Sequence, residues 1–202
     1  MLSKSPYIYT PSKGEITLAT MIATARCELK ESRNVKSNKY TASRSEVDTH
    51  VLGILGEFAV STVLGIPVRM PVTLGGDDGH DLTSAQVGKI SVKTRSRAKY
   101  DFALTTPESG KDWDIGILVC PKGMEIAPPY EFAALRLVGW LTKDEFMKRS
   151  HREDFGYGPR LSVKNSALNP MVDLKHTKGR YSIDMQIQLH GLNSTFREVT
   201  CG

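Results

Sequence analysis

The chain has 202 residues, of which 40% are apolar and 24% are charged, and 27 Lys and Arg against 22 Asp and Glu give a net charge of +5 at pH 7. This composition excludes an acidic disordered tail and is typical of a globular protein, and the length allows one domain with an extension or two small domains. The three cysteines lie far apart in the sequence and include no C-x-x-C pair, so neither a disulfide framework nor a zinc knuckle is predicted.

The sequence carries no sign of membrane insertion. Its first fifteen residues lack an apolar stretch of signal-peptide length, and no run of 18 apolar residues follows. We therefore expect a soluble, cytoplasmic protein without a membrane partner.

Two helices are predicted in the first third of the chain. Over residues 15–32, apolar side chains recur at spacings of three and four, which is the pattern of an amphipathic helix. A second helix is predicted over residues 46–64, because Gly65 is placed to end it and Pro67 prevents its continuation. Glu57 falls outside the main apolar stripe of this helix, so it need not be buried among the leucines.

Short strand-like segments dominate the middle of the chain. They lie at 66–73, 80–83, 87–95, 100–105, 114–120 and 130–141. Thr142 and Glu145 then form a capping-box pattern that predicts a short helix. We expect an α/β (α+β) fold with a central mixed β-sheet flanked by helices over residues 1–150, and a loop-rich C-terminal extension over 151–202 that contains a last strand near 181–189.

Basic residues alternate along and beyond the 87–95 strand. Lys89, Lys93, Arg95, Arg97 and Lys99 fall at every second or fourth position within eleven residues. On an extended strand this spacing would place them along one face. Such a face is either a nucleic-acid surface or an ordinary solvated side of a sheet.

The same strand carries the chemistry of interest. Hydrolysis of a phosphodiester needs a divalent cation to orient the phosphate, and Mg²⁺ prefers hard oxygen ligands. If the 80–83 strand pairs with the 87–95 strand, Asp81 comes near Ser91 and Lys93, and its carboxylate can hold a cation beside the ammonium. Glu57, on a helix packed against the sheet, could supply a second carboxylate.

This order of residues resembles the PD-(D/E)XK nuclease superfamily, which has the restriction-endonuclease-like fold. The resemblance covers residues 51–141. It rests on Gly-Glu-x-Ala at 56–59, a glycine-rich turn into Asp81, Val-Lys-Thr at 92–94 and Gly-Trp at 139–140.

The resemblance implies a role for each matching residue. Asp81, Glu57 and the main-chain carbonyl of Val92 would bind Mg²⁺, for which Mn²⁺ should substitute. Lys93 would position or help to activate a metal-bound water that attacks the phosphorus in line. Glu57, Asp81 and Lys93 are thus the expected catalytic residues.

One position departs from the family pattern. Ser91 stands where the family has an acidic residue, and a hydroxyl is a weaker metal ligand than a carboxylate. Some members of the superfamily lose this acid and recruit one from a helix, so Glu57 could replace it. Asp77 and Asp78, in the glycine-rich turn, are further candidates.

Four residues are expected to contact nucleic acid, namely Arg95, Arg97, Lys99 and His80. For Arg95 the alternative is an ion pair with Asp101, and His80 could equally be a loop histidine without a role.

Each proposed site residue also has an ordinary structural explanation. Asp81 could be a turn residue that bonds its own backbone, and Glu57 a solvated helix carboxylate. Lys93 could protect an edge strand against aggregation.

The sequence favours a Mg²⁺-dependent deoxyribonuclease, an endonuclease rather than an exonuclease, acting on DNA. A homodimer is one option, since many double-strand cutters cut one strand per site, and the small size is typical of a phage-encoded protein in a bacterial host. A second hypothesis is a catalytically inactive nuclease-fold protein that binds nucleic acid or a protein partner, for example a phage inhibitor of a host system. A third is an unrelated small α+β protein that matches the motif by chance.

Overall fold

The computed structural model describes residues 7–34, 45–68, 79–130, 134–154 and 158–175, and the statements of structure that follow concern these residues. The helices are α1 (Lys13–Ser32), α2 (Glu46–Leu64), α3 (Thr106–Ser109), α4 (Lys143–Arg149) and α5 (Met171–Lys175). The strands are β1 (Ile8–Tyr9), β2 (Leu82–Ser84), β3 (Gly88–Thr94), β4 (Phe102–Thr105), β5 (Ile115–Pro121), β6 (Leu135–Thr142), β7 (His151–Asp154) and β8 (Pro159–Val163).

The strands form two sheets. The central sheet has the order β1-β6-β5-β3-β2, in which β3 and β5 run parallel and the other neighbours run antiparallel. The second sheet has the order β4-β8-β7 and is antiparallel. The prediction of a mixed α/β fold with a central mixed sheet flanked by helices is confirmed at this level.

Local capping signals explain where the long helices begin and end. Ser12 accepts a hydrogen bond from the Glu15 amide and Glu15 bonds back to the Ser12 amide, a capping box that starts α1. Ser45 caps α2, and Gly65 ends it in a left-handed conformation with φ of 64°. The two predicted helices are therefore confirmed, with starts and ends within two residues of those expected. The capping box of Thr142 and Glu145 that starts α4 is also present.

Helix α2 is the central element of the larger core. It packs on α1 at one side and on the central sheet at the other, and most of its residues from Val51 to Leu64 are buried. By length and composition α2 could cross a membrane, but its burial is that of a core helix in a soluble protein. The opposite face of the sheet covers a smaller core, in which the Phe146 ring contacts Phe102 and Trp113 edge to face.

Three parts of the sequence prediction differ from the structure. Residues 66–68 are not a strand, and the rest of the predicted 66–73 segment lies outside the described residues. Strand β4 belongs to the second sheet and not to the central one. Within the C-terminal extension, β7 and β8 replace the expected loops. β7 shows no apolar alternation because it is an exposed edge strand, so sequence periodicity gave no signal for it.

The described part of the extension is joined to the rest of the fold. Strand β8 pairs with β4, and Trp140 in β6 pairs with Asn169. Met171 and Leu174 in α5 lie in the larger core. The predicted last strand, residues 181–189, lies outside the described residues.

Candidate active site

Asp81 lies at the end of the β2–β3 ladder and bonds to β3 twice. Its amide donates to the carbonyl of Ile90 at 2.9 Å, and its Oδ2 accepts from the Val92 amide at 2.6 Å. Asp81 is therefore not a turn residue that bonds only its own backbone. Its carboxylate is held against the strand that carries Lys93.

The main chain of Val92 faces the same edge. The carbonyl of Ile90 and the amide of Val92 both point to the β2 side of β3, because both bond Asp81. In an extended strand the amide and the carbonyl of one residue point to the same side, so the Val92 carbonyl also points toward this edge. The predicted main-chain oxygen ligand thus lies on the edge that holds Asp81.

Lys93 is paired with an acid that the sequence analysis missed. Its Nζ lies 2.8 Å from Oε1 of Glu108, in the short helix α3. Oε2 of Glu108 accepts from the Thr105 amide at 2.7 Å, which completes a capping box. One carboxylate oxygen of Glu108 is thereby fixed at the start of α3, and the other contacts the Lys93 ammonium.

The Thr105-x-x-Glu108 spacing is a helix-start signal that the sequence offered. It could have located α3, but no local signal connects Glu108 with Lys93, 15 residues earlier. That contact depends on how β4 and α3 fold back over β3.

The pairing controls the ionisation of Glu108. Burial alone would raise the pKa of its carboxyl, but the Lys93 ammonium and the hydrogen bonds from Thr105 outweigh burial and lower the pKa from 4.5 to about 2. Glu108 is therefore ionised throughout the neutral range.

This shift predicts an acid-sensitive contribution to stability. Folding lowers the pKa of this carboxyl from its unfolded value of 4.5, so the ionised carboxylate stabilises the folded protein at pH values above 4.5. That stabilisation is lost as the pH falls toward 2. We expect the difference in melting temperature between the parent and Glu108→Gln to be constant above about pH 5 and to shrink below it. Glu125→Gln, which removes an exposed partner of Arg97, should show a much smaller change. A Glu108→Gln difference that is the same at pH 3 and pH 7 would contradict this assignment.

Ser91 lies two residues before Lys93 and is only 6% exposed. Side chains alternate along β3, so Ser91 and Lys93 share one face, while Ile90 and Val92 face α2 and the larger core. Glu108 is thus an acid that contacts Lys93 on the face of β3 that also carries Ser91.

The environment of Glu57 differs from the one expected. It is 8% exposed, because α2 is buried on nearly all sides over this stretch, so it is not a solvated helix carboxylate. The preceding Gly56 lies directly against Thr94 of β3. Since α2 packs on the Val92 face of β3, Glu57 and Lys93 approach the strand from opposite faces.

The oxygen donors near β3 fit a hard divalent cation in type. Asp81 and the Val92 carbonyl are oxygen ligands of the kind that Mg²⁺ prefers. Among the described residues, the group of three potential ligands with all atoms within 4.8 Å is Cys27, Glu46 and His50, and it includes neither Asp81 nor Glu57. The candidates Asp77 and Asp78 lie outside the described residues.

The basic residues near β3 do not form a bare cationic face, contrary to the spacing argument. Lys89 pairs with Asp112, Lys93 with Glu108, and Arg97 with Glu125. Arg97 also lies over the ring of Tyr100, and Lys99 is exposed. β3 ends at Thr94, so Arg97 and Lys99 do not continue its alternation.

Arg95 has a structural role that neither expectation described. Its Nε donates to the carbonyl of Asp101 and its Nη2 to the carbonyl of Ala103, so it ties the end of β3 to the start of β4. The carboxylate of Asp101 instead accepts from the Asn165 amide. Burial lowers the pKa of Arg95, and nearby Arg160 lowers it further.

Replacing Arg95 by methionine should therefore destabilise the fold. Two carbonyl oxygens would lose a charged donor, and we expect the free energy of unfolding to fall by about 1.5–3 kcal/mol in urea denaturation. Arg97→Met, at an exposed ion pair, should change stability little. If Arg95→Met kept full stability and lost only DNA affinity, Arg95 would be a phosphate contact after all.

His80 contacts its own hairpin. Its Nε2 lies 3.1 Å from Oγ1 of Thr83, and its Nδ1 is buried without a hydrogen-bond partner among the described residues. Nδ1 of the ring therefore faces the protein interior. A DNA contact by His80 stays a prediction.

No protein-family model matches the sequence, and no curated protein resembles it significantly.

Proposed function

We propose that the chain is a metal-dependent nuclease of the PD-(D/E)XK type that hydrolyses DNA. The observation that carries the proposal is the Lys93–Glu108 pair on β3, next to the edge that holds Asp81 and in a strand where Ser91 replaces the usual acid. The resemblance implies a strand lysine that acts together with the metal ligand Asp81, and Glu108 is the acid that we propose to hold this lysine.

The topology supports the proposal. Asp81 immediately precedes β2 in the β2–β3 hairpin, and Lys93 lies near the end of β3. Helix α2 packs on β3 where Gly56 lies against Thr94, and Glu57, the next residue, is buried. This is the order of helix acid, strand acid and strand lysine that the resemblance rests on. A restriction-endonuclease-like core is part of the proposal.

The residues have separate tasks. Asp81 and the Val92 carbonyl, with Glu57 as a further donor, would hold Mg²⁺ or Mn²⁺, which when bound supplies positive charge that polarises the phosphate. Lys93 stabilises the negative charge that grows on the phosphate oxygens and orients the attacking water. Glu108 is a positioning residue, because it fixes the Lys93 ammonium through a carboxylate that is itself held by Thr105.

The test uses three substrates, namely supercoiled plasmid, linear duplex and circular single-stranded DNA. Each is incubated with the protein and Mg²⁺, Mn²⁺ or EDTA. The proposal predicts nicking or linearisation of closed circles with either metal and none with EDTA. If all three substrates stayed intact under all conditions, the proposal would be contradicted, and degradation of linear DNA alone would indicate an exonuclease.

A second candidate is an inactive nuclease-fold protein that binds nucleic acid or a protein. The observation that favours it is the neutralisation of Lys89, Lys93 and Arg97 by acids, together with the missing acid at Ser91. It predicts retention of DNA in a gel-shift assay without cleavage, or no DNA binding at all. It stays a prediction that the chain binds DNA, that it forms a homodimer, and that it is a cytoplasmic, phage-encoded protein.

A further inference from the structure

A second cluster of ionisable side chains joins α1 to α2, apart from β3. Cys27 and Lys30 lie on one face of α1, and Glu46 and His50 lie on one face of α2 at the i, i+4 spacing. The ligand atoms of Cys27, Glu46 and His50 all lie within 4.8 Å of one another.

We propose that Cys27, Glu46 and His50 form a binding site for a borderline-soft divalent cation such as Zn²⁺. A thiolate, a carboxylate and an imidazole are the ligand types that zinc prefers, and three protein ligands leave a fourth tetrahedral position for water. The hard-oxygen donors proposed at Asp81 suit Mg²⁺, so the two sites differ in metal preference.

The Lys30 ammonium shows that the cluster already attracts a cation. Its Nζ lies 2.9 Å from Oε1 of Glu46 and 3.1 Å from Nε2 of His50. An ammonium can only donate hydrogen bonds, so Nε2 of His50 accepts, and its ring proton lies on Nδ1. The lone pair that would bind a metal is thus directed at the cation position.

The surroundings shift the pKa values of two of the three ligands. Burial lowers the pKa of His50 and Lys30 lowers it further, while the contact with Glu46 raises it. Burial raises the pKa of the Cys27 thiol, and nearby Glu46 adds to the effect. Cys27 is therefore a thiol in the metal-free protein, and metal binding would release its proton to solvent while Lys30 moves aside.

The ordinary explanation is that these residues form an ion-pair cluster that only stabilises the packing of α1 on α2. The two explanations predict different effects of the substitution Lys30→Met. If the cluster is a metal site, Lys30 competes with the metal, and Lys30→Met should tighten binding. If it only stabilises the packing of the helices, Lys30→Met should weaken the fold, and neither the parent nor Lys30→Met should bind a metal through Cys27.

Titration of the full chain with Co²⁺ tests the proposal, because a cobalt–thiolate bond gives a strong near-ultraviolet charge-transfer absorption. We expect this absorption in the parent and in Cys120→Ala, its loss in Cys27→Ser, and binding at least tenfold weaker in His50→Gln. Zn²⁺ should displace the cobalt, and Lys30→Met should lower the dissociation constant.

Two results would overturn the proposal. One is the absence of a thiolate band in the parent and in Lys30→Met, with both proteins folded by circular dichroism. The other is a band that persists in Cys27→Ser, which would place the metal on another cysteine. Neither outcome depends on DNA cleavage, so this site and the proposed nuclease can fail separately.

Discussion

Replacing Lys93 by alanine should lower the proposed Mn²⁺-dependent DNA cleavage by about a hundredfold or more, because it removes the ammonium that we propose to stabilise the phosphate charge. Glu108→Gln should also lower the rate strongly, since the amide keeps the helix cap at Thr105 but no longer attracts Lys93 as an anion. Initial rates on supercoiled plasmid measure both effects.

The matched controls lie on the same strand. Lys89 is a second β3 lysine paired with an acid, Asp112, but it is remote from the end of β3 that carries Lys93. Lys89→Ala and Asp112→Asn should cleave at nearly the parent rate. Equal losses in the Lys89 and Lys93 variants would show that general charge and not a specific lysine drives cleavage, and the assignment of Lys93 would fail.

Gly56→Ala should be the most destabilising small substitution in α2. A Cβ at this position would lie 2.9 Å from Cβ of Thr94 and closer still to Oγ1, so the helix must move away from β3. We expect the free energy of unfolding in urea to fall by about 1–3 kcal/mol or more. Since the neighbouring Glu57 would shift with the helix, metal-dependent cleavage should fall as well.

Gly53→Ala is the control for this substitution. Gly53 lies in the same helix and a Cβ there meets no atom within 4 Å, so alanine should stabilise the helix by about 0.5–1 kcal/mol. Oγ1 of Thr94 is buried without a hydrogen-bond partner among the described residues, so Thr94→Ala should recover part of the Gly56→Ala loss. Equal stability of the two glycine variants would contradict the close approach of α2 to β3.

Elements with local signals were predictable from sequence. In α2, Ser45 is a residue type that starts helices and Gly65 one that ends them. In β3, apolar side chains that face the core alternate with polar ones. The β7–β8 hairpin was not predictable, because β7 is polar on both faces and is defined only by its pairing with β8.

The candidate site likewise contains residues that the sequence could indicate and residues that it could not. The sequence indicated Asp81 and Lys93 through their positions on two adjacent strands. It could not indicate Glu108, whose contact with Lys93 is made by a distant segment that folds back over β3. It also gave no sign of the contacts of Arg95, since strand alternation says nothing of the carbonyls of Asp101 and Ala103 that its guanidinium bonds.

The most direct test is the position of Mn²⁺ in crystals grown with saturating Mn²⁺, located by anomalous diffraction at the manganese edge. The nuclease account predicts an anomalous peak at the β2–β3 edge, bound by the Asp81 carboxylate and the Val92 carbonyl. A map without a peak at this edge, or with one only at the cluster of Cys27, Glu46 and His50, would contradict it.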